Sequence, residues 1–409
     1  MTAFSAKPYK LYNTIQKYEW GSRNEAASIP RFLGIPAEPD TPYAELWIGA
    51  HPKAPSEIEL DGTKVPLNKV IEEFPVECLG TYVCSNFSNT FPFLFKVLSA
   101  AHALSIQTHP NKVQARQLHT KDPANYPDDN HKPEIAVALD SLIALAGFKP
   151  VQSIKVSIES FPELSELAGQ KLIDELLKSK DHSAEEGLIK RTYEAVMQHA
   201  EDKERLTLCI SRIRKRLQGK PSRSMEEEQF LEQHRLFGDD VGLISFFFFN
   251  LVRLHPGQAI FTDAGIPHAY IKGNICECMA NSDNVVRAGL TNKFKDVGTL
   301  LDILRYDFKE CPVMHPETET GETTYRTAAK EFEVSRFIKP EGFHHEYSSG
   351  DRPSIYLITK GSLEILWRSH GESQSVAYTA GESFFIPASL SQYKLSANRE
   401  VEFFAVHVP

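Results

Sequence analysis

Apolar residues along this chain fall into two rhythms, and the switches between them divide it. From about residue 40 to 150, short apolar alternations are broken by Pro, Gly and Asn, as in Phe91-Pro92-Phe93-Leu94-Phe95-Lys96-Val97-Leu98. That pattern predicts strands and turns. Between about Val151 and Leu254 the spacing becomes helical: Leu206, Ile210, Ile213 and Leu217 recur at i, i+4, i+7 and i+11, and Ile189, Tyr193 and Val196 repeat the pattern. Glu226, Glu227 and Glu228 read as a solvated helix face or loop. Strand patterning returns at His255 and runs to about Leu290, with a short helix expected over Leu300–Tyr306. The polar stretch from Pro316 to Thr327 reads as a linker, and Phe332 to Pro409 is strand-like again. The expected fold is therefore mainly β with an α-helical insertion. Short strands with Gly and Pro turns favour two β-barrels or jelly rolls over a parallel sheet. Residues 1–150 with 255–315 would form one discontinuous unit, 151–254 a helical domain, and 316–409 a linker and second β unit.

Composition narrows the class. Of 409 residues, 41% are apolar and 24% charged, the mixture of a packed globular protein rather than a disordered one. The N-terminus has no apolar core or cleavage pattern of a signal peptide, and the run Val241–Val252 is about half a membrane span, so a soluble, cytoplasmic protein is expected. Phe246 to Phe249 then read as buried core. Six scattered cysteines without a CxxC pair argue against thiolate zinc or a redox dithiol; Cys276 and Cys278 share one strand face as small buried side chains. The net charge of −9, from 45 basic and 54 acidic side chains, shows no basic stripe for nucleic acid. An anionic small molecule remains open, since local cations can outweigh a mildly acidic surface.

Three segments carry candidate chemistry. In Ala103–Pro110, strand alternation points Ser105, Gln107 and His109 to one face. Facing a barrel interior, such a polar row costs desolvation energy unless it binds something; facing solvent it does not, and this segment leaves both readings open. In His131–Leu139, Lys132 and Glu134 share a face at the start of an apolar strand. In Gly265–Tyr270, a glycine turn precedes Pro267-His268, with Tyr270 on the same face as His268. Together Gln107, His109, Glu134 and His268 offer an amide oxygen, two imidazoles and one carboxylate, a donor set that suits zinc. With donors totalling −1, a divalent site stays net positive and can attract or polarise an anionic sugar. Downstream, Arg287 and Lys293 follow the turn Asn281–Asn284 and would stand near any metal held by His268.

These segments resemble a known family. Residues 41–53, Thr-Pro-Tyr-Ala-Glu-Leu-Trp-Ile-Gly-Ala-His-Pro-Lys, are similar to the "YAELWMGTHP" stretch of type I mannose-6-phosphate isomerases. Ser105–Lys112 and His131–Glu134 resemble that family's two metal-bearing stretches, and Pro267–Lys293 resembles its long signature nearly letter for letter. The likeness runs from Trp20-Gly21 to about Tyr306 and thins in the C-terminal quarter. It implies two cupin-type barrels, the C-terminal one degenerate and without metal, and one zinc per chain on Gln107, His109, Glu134 and His268. It further implies a catalytic Arg287 and pocket residues Trp20, His51, Lys96, Ser105, Lys132, Tyr270, Glu277, Asp283 and Lys293. The implied reaction interconverts mannose 6-phosphate and fructose 6-phosphate through a cis-enediol, supplying mannose for glycan and GDP-mannose synthesis. Arg287, Lys132, Glu277 and His51 are the expected catalytic groups, the last three unranked for ring opening and proton transfer. Ser105, Lys96 and Lys293 are candidates for the phosphate, with Tyr270, Asp283 and Trp20 completing the substrate pocket. Asn292 departs from the family's usual proline. A small sugar phosphate is the expected partner, without nucleic acid or membrane, and the chain is expected to be a monomer. Two other classes share the donor set: an iron or manganese cupin dioxygenase, and a sugar-binding cupin with a structural metal.

Overall fold

The computed structural model describes residues 4–199, 202–317, 319–369 and 371–409. It is mainly β, with several sheets, none closed on itself among the described residues, where the patterning predicted two barrels or jelly rolls. The ten strands of the largest sheet are Thr14–Gln16 (β1), Glu45–Gly49 (β2), Phe93–Ala100 (β3), Ile106–Thr108 (β4), Glu134–Ala138 (β5), Leu142–Phe148 (β6), Phe249–Leu254 (β7), Ala259–Thr262 (β8), His268–Ala280 (β9) and Val286–Gly289 (β10). Strand β9 is long enough to serve two layers. Its C-terminal half lies between β3 and β5 in the order β1-β2-β3-β9-β5-β8. Its N-terminal half lies between β6 and β4 in the order β7-β6-β9-β4-β10. Gly273 sits at the crossing, with φ +133°, where a Cβ would come within 2.6 Å of the Ser141 carbonyl oxygen. Only glycine lets the two backbones approach this closely.

Leu98, Ala136, Ala144, Ala146, Tyr270 and Ile275, drawn from both layers, form one buried cluster between them. The alternate residues face outward and are also apolar. On the second layer, Ala269, Ile271 and Val286 pack against the helices Val151–Ser160 (α1), Gln170–Lys178 (α2), His182–Gln198 (α3), Lys203–Gln218 (α4) and Met225–Phe237 (α5). The helical periodicity is met here: Ile189, Tyr193, Val196, Ile210 and Ile213 are buried, and Phe246–Phe249 lie in the same core. Of the three glutamates, Glu227 is buried rather than solvated, because it closes a capping box with Ser224 at the start of α5.

The C-terminal strands are Glu322–Tyr325 (β11), Glu333–Lys339 (β12), Phe343–Ser348 (β13), Ser354–Lys360 (β14), Ser362–Ser369 (β15), Glu372–Thr379 (β16), Ser383–Ile386 (β17), Gln392–Ala397 (β18) and Val401–His407 (β19). A six-stranded sheet, with Tyr9–Leu11 on its edge, faces the four-stranded sheet β13-β18-β15-β16. The space between them is filled by Phe337, Tyr356, Tyr378, Phe384, Tyr393 and Phe403. Three readings of the chain change. The stretch read as a linker contains β11, whose Thr323 and Thr324 pair with β12; threonine fits a pleated strand. Pro75–Asn86 and Lys112–Lys121, inside the region read as strand and turn, are helices. The helix expected at Leu300–Tyr306 spans Val297–Ile303. No helix among the described residues is long and apolar enough to cross a membrane.

The two β units pack back to back. Phe95, Val97, Ile135, Cys276 and Cys278 from the first layer share a core with Ile355, Leu357, Phe404 and Val406. Cys276 and Cys278 are therefore buried on one strand face, as the sequence implied.

Candidate active site

Register brings the metal-donor candidates together. In β4, Gln107 lies opposite His268 of β9 on one side and Arg287 of β10 on the other. Directly opposed residues share a sheet face, so amide, imidazole and guanidinium line up side by side. His109 follows β4, and Glu134 opens β5 opposite Met279. The donor atoms of His109, Glu134 and His268 lie within 4.8 Å of one another, and all three residues are at most 1% exposed.

Hydrogen bonding fixes what these atoms offer. His109 donates Nδ1–H to the Asn284 carbonyl at 2.7 Å, and His268 donates Nδ1–H to the Ile266 carbonyl at 3.0 Å. A carbonyl only accepts, so the Nδ1 atom of each ring carries a proton and Nε2 is the atom turned inward as a possible metal donor. Burial pushes the His109 pKa down to about 4, against the pull of Glu134, so this ring is neutral at pH 7. Burial works against the Glu134 carboxylate, but Lys132 and then His109 outweigh it and hold its pKa well below the usual range. Glu134 Oε2 lies 3.1 Å from His268 Nε2 and 3.4 Å from His109 Nε2, yet neither it nor His109 Nε2 completes a hydrogen bond. The lone pair of the neutral His109 ring and the Glu134 carboxylate, both without partners, repel where they converge unless a cation sits between them. The fourth donor is near: Gln107 Nε2 is 3.4 Å from His268 Nε2. A half-turn of its amide would present Oε1 instead, and the Ser105 hydroxyl, 3.2 Å from Oε1, can accept as well as donate. The residues present thus fit zinc, by donor chemistry and by orphaned buried atoms.

Two of these donors, Gln107 and Glu134, line a cavity of about 630 Å³, with the two histidines buried behind them. Its walls include Trp20, Lys96, Ser105, Lys132, Tyr270, Glu277, Asp283, Arg287 and Lys293 of the sequence candidates. The Lys132 ammonium forms an ion pair with Glu134 Oε1 at 2.9 Å. Arg287 and Lys293 have no carboxylate partner among the described residues; burial lowers both pKa values, and for Lys293 the neighbouring Arg287 adds to it. The Tyr270 hydroxyl is buried and completes no hydrogen bond.

His51 lies off the cavity wall, and Lys96, though on it, is engaged by carboxylates. His51 is 3% exposed and does not line the cavity; it packs edge-on against Trp47, with Nε2 3.7 Å from Asp283 Oδ2. The Lys53 amide donates to its Nδ1, so its remaining proton points at Asp283, not at a substrate. Asp283 in turn accepts from Lys53 at 2.8 Å; burial opposes its ionisation, but Lys53 and His51 lower its pKa. Lys96 is enclosed by carboxylates, 3.1 Å from Glu277 and 3.7 Å from Glu45. Burial acts against its charge, but Glu45 and Glu277 outweigh it and raise its pKa. The trio carries net −1, which speaks against Lys96 as a phosphate ligand. Burial raises the Glu277 pKa against the attraction of Lys96, leaving a carboxyl poised to take up a proton.

The sequence reading left out Glu45, Trp47, Tyr18, Arg23, Leu236 and Phe237, which also line the cavity. A glutamate opening the otherwise apolar strand Glu45–Gly49 was the available signal for the first two. Leu236 and Phe237 close the cavity from α5, a contact that no local pattern announces.

Known proteins match this arrangement. The family of "phosphomannose isomerase type I, catalytic domain" matches residues 9–151. Mannose-6-phosphate isomerase 2 of Arabidopsis thaliana is 36% identical over 397 residues, covering 92% of this chain and 88% of that protein. The chain belongs to the type I phosphomannose isomerases. Mannose-6-phosphate isomerase of Saccharomyces cerevisiae is likewise 36% identical, with 94% of this chain and 95% of that protein covered. Among solved structures, a substituted phosphomannose isomerase from Salmonella typhimurium superposes with a TM-score of 0.85 at 29% identity, covering 98% of this chain and 99% of that one. A mannose 6-phosphate isomerase bound with zinc and yttrium gives 0.84 at 29%, with the same coverage.

Proposed function

We propose that this enzyme interconverts mannose 6-phosphate and fructose 6-phosphate through a cis-enediol, with one zinc held by Gln107, His109, Glu134 and His268. The observation that carries the reading is the convergence of imidazole and carboxylate donor atoms, those of His109 and Glu134 without partners, at the wall of a cavity that also holds Arg287 and Lys293, two cations without a carboxylate partner among the described residues. Zinc, when bound, would polarise the sugar oxygens and favour their negative charge. The chain's own groups do the rest. Lys293, assisted by Ser105, holds the phosphate as a point charge and hydrogen-bond partner. Isomerisation removes the C2 proton of mannose 6-phosphate and returns a proton to C1, so one side chain must alternate between base and acid. Glu277 suits that task, being on the cavity wall with a raised pKa. Lys132 and the Tyr270 hydroxyl are available to the ring and open-chain oxygens during ring opening. Arg287, beside Gln107, faces the developing enediolate, where a fixed cation lowers the barrier. Asp283, backed by His51, and Trp20 shape the pocket around the sugar.

The same reading extends outward. The two sandwiches are cupin-type jelly rolls, and the C-terminal one, its interior filled by aromatic side chains, carries neither metal nor catalysis. The enzyme works as a cytoplasmic monomer, without nucleic acid or membrane partners, and feeds mannose to glycan and GDP-mannose synthesis. The decisive experiment incubates protein with mannose 6-phosphate and follows fructose 6-phosphate, with and without a chelator. Product that appears and is abolished by chelation supports both parts; absence of product from zinc-loaded protein refutes the isomerase, and chelator-insensitive turnover refutes the zinc.

A further inference from the structure

Besides Leu236 and Phe237, which line the cavity directly, the helical insertion holds one of the cavity's loops through a carboxylate. Asp240 precedes the 3-10 helix Val241–Phe247, which lies between α5 and β7. Its Oδ1 accepts from the Gly242 amide at 2.8 Å and from the Leu290 amide at 2.7 Å. Its Oδ2 accepts from the Lys295 ammonium at 3.1 Å, and the side chain is only 9% exposed. Leu290 and Lys295 bracket the loop that carries Lys293, and Leu290, Thr291, Asn292 and Lys293 all line the cavity.

Two further features tie insertion and loop together. Leu290 has φ 51°, a left-handed conformation that residues with a Cβ rarely adopt. Its amide is aimed at Asp240 in that conformation, so the carboxylate helps to stabilise it. Just before it, Gly289 and Gly242 meet backbone to backbone: a Cβ on Gly289 would lie 2.6 Å from Gly242 Cα, and one on Gly242 would lie 2.9 Å from the Leu290 amide nitrogen. Glycine at both positions is what allows the Asp240 carboxylate to reach the loop.

We infer that Asp240 is a positioning residue for substrate binding: the helical insertion uses its carboxylate to pin the Leu290–Lys295 loop at both ends, and so aims Lys293 at the phosphate. The inference rests on the assignment of Lys293 to phosphate given above. Arg287 lies outside the clamp, held by strand pairing with Gln107, so loosening the clamp should act on binding rather than turnover.

The test is a double-mutant cycle on zinc-loaded, full-length enzyme with Asp240→Ala, Lys293→Ala and both together. It reads KM for mannose 6-phosphate, inhibition by inorganic phosphate, kcat and zinc content. Asp240→Ala should raise KM and weaken phosphate inhibition together by about five- to tenfold, while Lys293→Ala, which loses a charge-assisted contact, should do so by about ten- to a hundredfold. The double variant should be no worse than Lys293→Ala alone, with zinc content unchanged. Asp240→Asn, which keeps the Oδ1 acceptor, should recover most of the loss; it also serves where the alanine variant is poorly folded. Additive effects, or unchanged KM and phosphate inhibition in both Asp240 variants while Lys293→Ala impairs them, would overturn the inference. A Lys293→Ala enzyme that binds phosphate normally would instead overturn the phosphate assignment on which it rests.

Discussion

Replacing Lys96 by methionine is a severe perturbation made with little change of shape. The ammonium lies 3.1 Å from Glu277 and 3.7 Å from Glu45, with the Trp47 ring centroid 5.5 Å away. At an effective dielectric of about 20, each ion pair is worth roughly 4 to 5 kcal/mol of attraction. That gain is offset by several kcal/mol for removing the ammonium from water, and further by repulsion between the carboxylates. Methionine removes the ammonium and leaves Glu45 and Glu277 buried and facing each other, a loss of about 3 to 5 kcal/mol at neutral pH. Set against a typical domain stability of about 5 to 15 kcal/mol, that is a large fraction. The pH dependence supplies a second check. Without Lys96 the Glu277 pKa, already raised by burial, should rise further above its unfolded value. Its protonated form is then tolerated at acid pH, and the penalty appears as pH rises through the folded value. Urea unfolding of zinc-free wild type and Lys96→Met, followed by near-UV circular dichroism between pH 4.5 and 8, measures both. Equal stability at pH 8, or a deficit that grows toward acid pH, would refute the electrostatic account of this cluster.

Other outcomes follow from the same geometry. Arg287→Ala should lower turnover by about 100- to 1,000-fold with zinc content unchanged, since one preorganised donor is lost; steady-state kinetics with metal analysis tests this. His268→Ala should release metal and activity together, and stoichiometric zinc retained after dialysis would refute its role as a ligand. Glu277→Gln should cost about 100- to 10,000-fold in turnover. In the wild type, the acid limb of the kcat/KM profile should lie above the ordinary carboxylate range, because burial raises the Glu277 pKa; a limb at or below that range would remove Glu277 as the base.

Much of the site was legible because strands obey a strict alternation. Gln107 with His109 on one face, Lys132 with Glu134 on another, and His268 after its glycine turn supplied the candidate donors. The partnering of those faces was not legible, since register across β9 depends on a bend at Gly273 that the sequence marks only by one glycine. His51 shows the limit of a linear reading: it lies in a motif next to the site, but its ring is turned away by Trp47 and by the Lys53 amide. Glu45 was missed for the opposite reason, as a lone acid within an apolar strand whose partner, Lys96, is distant in sequence. Among the helices, Leu206–Leu217 declared itself by spacing. Lys112–Lys121 did not, although Asn111 and Gln114 form its capping box; a mostly polar helix offers little apolar rhythm. Pro75–Asn86 is interrupted at Gly80, whose φ of 78° gives it the look of a turn.

Back-to-back packing leaves the catalytic strands no idle side. In β3, Lys96 faces the cavity while Phe95 and Val97 anchor the neighbouring sandwich, and in β9 Glu277 is flanked by Cys276 and Cys278 in the same way. Cutting the chain before β11 would thus strip an oily sheet bare directly behind the reacting groups, and such a fragment should clump rather than work at reduced speed. The C-terminal quarter of this enzyme contributes to chemistry as a backing plate does to a lens.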